Sequence, residues 1–127
     1  NVMEKSFSER VAEAKAAVSA MSPQQANAHR ENNPDTLFID PRDAADIRST
    51  TGLIPGALNL PLGDLNNKQD GELPHQLSSR TRTIIAACQG GPMGALAAHA
   101  LKQRGYDNVY FVEGGTQGWL DAGYPTH

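Results

Sequence analysis

The chain contains one cysteine, Cys88, at a position where the backbone alone could activate a nucleophile. The run "TIIAA" (83–87) before it is typical of a buried strand, and the alanine-rich "GALAAHALKQR" (94–104) after it is typical of a helix. The glycine-rich turn between them can fold tightly, so that several amide N–H groups converge on the sulfur. Because the start of a helix adds partial positive charge, the pattern favours a reactive thiolate or an anionic sulfur derivative.

Other side chains that could do chemistry have simpler explanations. Asp43 fits the N-cap of a helix and Asp46 fits its first turn, so these carboxylates need not form a metal or acid–base cluster. Asp40 and Arg42 are predicted to brace the turn that follows a strand. Trp119 is predicted to lie in the core, because a large aromatic side chain is usually buried.

The histidines do not show the spacing of a metal site. One cysteine cannot form an internal disulfide, and the four histidines lie too far apart in the sequence for a local metal-ligand spacing. We therefore expect no bound metal. No organic cofactor is expected either. His99 follows Cys88 on the predicted helix and is interpreted as a surface or core residue. The four histidines are His29, His75, His99 and His127.

Composition and charge restrict the possible partners and the compartment. The 127 residues suit one domain with a real core, and the net charge of −3 gives no broad attraction to nucleic acid or to an anionic membrane. The sequence lacks a membrane-length apolar run and a signal-peptide pattern. Together with the single cysteine, this predicts a soluble protein of the reducing cytoplasm. The oligomeric state stays open.

The pattern of apolar residues predicts an α/β domain with a mostly parallel sheet of four to five strands and helices on both faces. A capping box between Ser6 and Glu9 begins a helix predicted to run to Met21, and Ser22 begins a second helix. A short helix should hold Trp119, and residues 62–79 should form a surface excursion with one helical turn near 73–77. The predicted strands are 36–40, 56–60, 83–87 and 108–112.

Four segments of the sequence resemble the rhodanese-like domain family. They are "LFIDPRD" (37–43), "GLIPGALNLP" (52–61), "CQGGPMG" (88–94) and "VYFVEGGTQGWLDAGYP" (109–125). The third is similar to the active-site loop of the family, and the last is similar to its closing Gly-Gly, Trp and Gly-Tyr-Pro pattern. The resemblance implies a rhodanese-like domain over residues 22–127, preceded by an N-terminal helical extension over residues 1–21.

This resemblance implies a sulfurtransferase in which Cys88 carries a sulfane sulfur as a persulfide. The donor would be a small molecule or a protein, the acceptor a thiol or another nucleophile, and Asp40 and Arg42 would support the site. The backbone of the loop would bind the donor and the anionic sulfur. The loop residues predicted to do so are Gln89, Gly90, Gly91, Pro92, Met93 and Gly94.

The chain departs from the family pattern at three positions. Met93 stands where active relatives commonly have an arginine, Leu53 replaces a histidine, and Gly94 replaces a small hydroxyl residue. The missing arginine weakens the case for thiosulfate as donor, since a guanidinium binds such anions well. It also argues against the phosphatases that use related loops, because neither Met93 nor Gly94 can bind a phosphoryl group.

An alternative function is therefore a noncatalytic rhodanese-like binding or regulatory module. Such a module would have lost the loop arginine and would use the pocket or the N-terminal helix to hold a partner. Met93 and Leu53 favour this alternative, whereas Cys88 and the glycines beside it favour the enzyme.

Overall fold

A sheet of five parallel strands forms the centre of the computed structural model, which describes residues 4–127. The strand order is β1-β5-β4-β2-β3, so β4 and β5 lie inside the sheet. The prediction of an α/β fold with a parallel sheet is confirmed. The strands are β1 (Ser19–Met21), β2 (Leu37–Asp40), β3 (Leu58–Asn59), β4 (Ile84–Ala86) and β5 (Val109–Val112).

Helices cover both faces of this sheet. The α-helices are α1 (Phe7–Ala17), α2 (Pro23–Asn32), α3 (Ala44–Ser49), α4 (Leu62–Asn67), α5 (Pro92–Gln103) and α6 (Gly115–Asp121). Two 3₁₀ turns, Asp70–Glu72 and His75–Leu77, follow α4. The predicted excursion over 62–79 thus contains the expected turn near residues 73–77, together with α4, which the polar sequence did not reveal. Among residues 4–127, no helix combines the length and the apolar character that a membrane-spanning segment requires.

Successive side chains of the strands point to opposite faces of the sheet, and this divides the core into two layers. Ile84 packs in the layer beneath α1, α4 and α5, whereas its neighbour Ile85 packs in the layer with α2 and α6. Successive side chains of a strand point to opposite faces, so a strand buried on both faces is apolar throughout. Trp119 is fully buried in the second layer, as predicted, and its ring lies edge-on to Phe38 with centroids 5.7 Å apart.

The N-terminal segment differs from the prediction at its end. The helix stops at Ala17, and the last three residues of the predicted helical extension 1–21 form β1 instead. β1 pairs with β5, and the amide of Glu113 donates to the carbonyl of Met21 at 2.8 Å. Val18 and Met21 fit the apolar stripe of α1, but pairing with a distant strand outweighs this local periodicity. Residues 1–3 lie outside the described part of the chain.

The two N-terminal helices begin as the sequence predicts. In α1 the Glu9 amide donates to the Ser6 hydroxyl, and the Ser6 amide donates back to the Glu9 carboxylate at 3.1 Å. The hydrogen bond from the Ser6 backbone amide is the main cause that lowers the pKa of Glu9, and an interaction with the Ser6 side chain is the second. Ser22 and Gln25 form the same capping box at α2. Asp43 occupies the N-cap position of α3, although its side chain makes no capping hydrogen bond.

Candidate active site

Cys88 lies at the carboxyl end of the sheet, two residues beyond β4. The amide of Ala87 donates to the carbonyl of Ile39 at 2.9 Å, so the pairing with β2 continues to the residue before the thiol. From β4 the chain crosses to β5 on one side, and from β2 it crosses to β3 on the other. Cys88 therefore lies where the topology switches direction, which is the usual position of binding sites in open parallel sheets.

The loop folds around the sulfur of Cys88. The side chain is 3% exposed, and the amide of Gly91 donates to its Sγ at 2.9 Å. Gly91 has a φ of +120°, which a residue with a side chain rarely adopts, so this residue type is needed to close the loop. At Gly94 a Cβ atom would lie 3.1 Å from the carbonyl oxygen of Ala86, so a glycine lets the helix start close to the strand.

Part of the predicted amide nest is visible in this geometry. Of residues 89–94, Gly91 donates to the sulfur, and Pro92 has no N–H to offer. Helix α5 begins at Pro92, two residues earlier than the sequence indicated. Met93 and Gly94 thus lie in its first turn, where amides have no acceptor inside the helix and can bind an anion.

Helix α6 contacts the loop from its other side, through bonds that the sequence did not predict. The amide of Thr116 donates to the carbonyl of Cys88 at 2.7 Å, and the amide of Gln117 donates to that of Gln89 at 3.0 Å. In a trans peptide the C=O and the following N–H point in opposite directions. These two bonds therefore turn the amides of Gln89 and Gly90 away from α6.

This contact requires a glycine at the start of α6. Gly115 has a φ of +63°, and a Cβ atom on it would lie 2.6 Å from the carbonyl oxygens of both Cys88 and Gln89. The pair "GG" at 114–115 was the available signal, because adjacent glycines before a helix often mark a close backbone approach.

The surface above the thiol carries no formal charge from the loop itself. Gln89, Gly90 and Pro92 are exposed, Met93 is half-buried, and Gly91 and Gly94 are buried. None of these side chains is ionisable. The surface above the thiol therefore consists of peptide groups, the neutral side-chain amide of Gln89 and the thioether of Met93.

Asp40 and Arg42, which were predicted to brace the turn, form a buried ion pair at the end of β2. The Arg42 guanidinium donates to both carboxylate oxygens of Asp40, at 2.7 and 3.0 Å, and to the Thr51 hydroxyl at 2.8 Å. Both side chains are almost completely buried. Such a bidentate pair fixes the turn in one geometry, and its charges largely cancel.

We expect Arg42→Lys to lower the free energy of unfolding by about 1–2 kcal/mol, because an ammonium keeps the charge but loses the bidentate fork. Urea denaturation measures the change. Arg48→Lys is the matched control, since Arg48 is exposed on α3. Equal stability of the two variants would show that the fork does not brace the turn.

The other residues that the sequence analysis considered, such as His99 and Leu53, lie outside the Cys88 loop. His99 and Arg10 line a groove of about 430 Å³ between α1, α4 and α5, whose apolar wall includes Leu62 and Leu96. No residue of the Cys88 loop lines this groove. Leu53 lies in the segment between α3 and β3. Its amide donates to the carbonyl of His127, which joins that segment to the C-terminus. Within residues 4–127, no three His, Cys, Asp or Glu side chains are placed to share a metal ion.

Comparisons with known proteins show to which family the chain is similar. The family model "Rhodanese-like domain" matches residues 22–122. A thiosulfate sulfurtransferase, GlpE of Actinobacillus succinogenes, is 32% identical over 94 residues, which cover 72% of this chain and 75% of the relative. A tRNA uridine(34) hydroxylase of Xanthomonas campestris is 28% identical over 73% of this chain, which spans only 36% of that relative's length.

A solved structure matches the whole chain, including α1. It is a protein of unknown function from Rhodopseudomonas palustris, described as a possible tyrosine phosphatase. The TM-score is 0.86 at 25% sequence identity, with 100% of this chain and 98% of the other covered.

Proposed function

Because the chain belongs to the rhodanese-like domain family, we propose that it is a sulfurtransferase that carries sulfane sulfur as a persulfide on Cys88. The observation that supports this best is the hydrogen bond of 2.9 Å from the Gly91 amide to the Cys88 sulfur. It places a donor at the atom that must be an anion when Cys88 attacks the sulfur donor, and again when Cys88 leaves as the sulfur passes to the acceptor. The related thiosulfate sulfurtransferase gives the reaction class a precedent.

The proposed reaction consists of two displacements at sulfur. The Cys88 thiolate attacks the sulfane sulfur of a donor, the donor's bond to that sulfur breaks, and the leaving group departs with the electron pair. An acceptor thiolate then attacks the outer sulfur of the Cys88 persulfide, and the Cys88 thiolate leaves. Each step exchanges one sulfur bond for another, so the proposal requires neither a metal nor an organic cofactor.

The chain's own groups would stabilise the anionic sulfur in both steps. The amides of residues 89–91 and of the first turn of α5 are fixed by the fold, so they need little reorganisation during the reaction. The twelve-residue helix α5 adds the partial positive charge of its N-terminus. Because a thiolate must persist for this chemistry, we place the protein in the reducing cytoplasm.

A phosphatase reaction is less consistent with this loop. The matching Rhodopseudomonas protein is described as a possible tyrosine phosphatase, but transfer of a phosphoryl group needs cationic groups to bind its oxygens. The loop here offers Met93 and Gly94 after the cysteine and has no charged side chain. The neutral loop therefore favours sulfur over phosphorus as the atom attacked.

A turnover assay tests the proposed function. The protein is incubated with a panel of sulfane-sulfur donors carrying an isotopic sulfur label, together with an excess of an acceptor thiol. We expect labelled acceptor persulfide to form over many turnovers with at least one donor. If no donor gives a rate above that of buffer, the enzyme assignment is wrong.

The second candidate is a noncatalytic binding module, and the groove between α1, α4 and α5 favours it. Phe7 at the groove is 59% exposed and is the large apolar side chain that the described residues leave most open. A module of this kind would hold a partner there and would leave Cys88 unmodified. Absence of turnover together with saturable binding of a partner to α1 would select this function.

A further inference from the structure

We propose that the Cys88 site takes sulfur from a thiol-borne persulfide rather than from a dianion such as thiosulfate, and that Met93 sets this preference. The inference rests on the proposed sulfurtransferase function and specifies the donor of that same site. It follows from the charges and apolar surface around the loop.

The loop around the thiol offers no positive side chain to neutralise a dianion, and the charge of Arg42 beside it is already balanced. The loop over residues 88–94 is uncharged. Arg42, at the end of the neighbouring strand, is buried and bound to both oxygens of Asp40. Its guanidinium also donates to Thr50 and Thr51, so its charge is already balanced and most of its donors are occupied.

The turn on the other side of the loop carries a negative side chain. Glu113 is exposed and begins the turn that leads into α6. That turn abuts the loop, because a Cβ atom on Gly91 would lie 3.8 Å from the amide nitrogen of Gly114. A carboxylate in this turn repels a second negative charge on an incoming donor, and more so at low ionic strength.

The same surface suits a persulfide on an organic thiol. Such a donor carries at most one negative charge at its reacting end, which the backbone amides can bind without a cation. Its carbon chain can pack against Met93, whose thioether is flexible and polarisable. Thiosulfate would instead have to shed the water around two negative charges, and only amide dipoles would replace that hydration, so its binding costs more free energy.

The transfer from this donor balances without a further reactant. The Cys88 thiolate attacks the outer sulfur of R–S–SH, the S–S bond of the donor breaks, and R–S⁻ leaves with the electron pair. The outer sulfur keeps its proton and becomes part of Cys88–S–SH. The released thiolate takes a proton from water, so nothing is oxidised or reduced overall.

Substitution of Met93 tests the preference. We compare kcat/KM for thiosulfate with kcat/KM for hydroxyethyl persulfide in the wild type, Met93→Arg and the neutral control Met93→Gln. We expect the wild type to favour the persulfide by about tenfold or more, and Met93→Arg to shift the ratio toward thiosulfate by about tenfold relative to Met93→Gln, because one charge-assisted hydrogen bond is gained.

Glu113→Gln gives an independent test if the Met93 variants do not fold. It should raise kcat/KM for thiosulfate severalfold and reduce its dependence on ionic strength. Thiosulfate matching the persulfide in the wild type would overturn the inference, as would an unchanged ratio in both Met93→Arg and Glu113→Gln. If neither thiosulfate nor the persulfide transfers sulfur to the protein, the proposed function itself is overturned.

Discussion

Cys88→Ser is expected to abolish sulfur transfer, with kcat falling by at least about a thousandfold. A serine hydroxyl stays protonated at neutral pH, and it cannot form the persulfide that the proposed mechanism requires. The serine oxygen can still accept the hydrogen bond that the Gly91 amide donates to the cysteine sulfur. The variant should therefore keep the fold while losing the chemistry.

The measurement is the turnover assay with the best donor, accompanied by thermal unfolding of both proteins. Cys88→Ala serves as a second variant, because alanine fills most of the small buried site without any polar atom. Transfer by Cys88→Ser at more than a small fraction of the wild-type rate would show that Cys88 does not carry the sulfur.

Gly115→Ala is expected to reduce sulfur transfer by about a hundredfold, because it displaces the loop that carries Cys88. The added Cβ atom would meet the carbonyl oxygens of Cys88 and Gln89 at 2.6 Å, and these are backbone atoms that cannot rotate away. The loop must shift by a substantial fraction of an ångström, which also lengthens the hydrogen bonds from α6. The Gly91 amide then loses its alignment with the sulfur.

Gly123→Ala is the matched control for this prediction. Gly123 has a φ of +92°, so alanine there carries a similar backbone strain, but nothing lies within 4 Å of its added Cβ. Both variants should lose about 1–2 kcal/mol of stability from this strain. A loss of activity of the same size in both would mean that α6 does not position the loop.

Much of the fold could be predicted from local sequence patterns. The apolar runs that became β2, β4 and β5 are buried on both faces, and such runs indicate parallel strands directly. The capping boxes at Ser6 and Ser22 also operate over three residues and need no tertiary contact. The position of Cys88 at the end of β4 followed from the same local signals.

The parts that could not be predicted depend on residues far apart in the chain. β1 looked like the end of a helix, since its pairing with β5 is a contact across about ninety residues. The bonds from Thr116 and Gln117 to the loop also depend on how α6 packs. Asp40 and Arg42 are close in sequence and were predicted to brace their turn, but the cancellation of their charges is clear only from their buried, bidentate geometry, and it bears directly on the choice of donor.

The central claim is that Cys88 holds a transferable sulfur, and intact-protein mass spectrometry tests it most directly. Reduced protein is incubated with thiosulfate or with an organic persulfide, freed of excess donor and weighed before and after addition of an acceptor thiol. We predict a gain of one sulfur atom from the persulfide, located on Cys88 by fragmentation, absent in Cys88→Ala and removed by the thiol. No gain from any donor, or the same gain in Cys88→Ala, would contradict the claim.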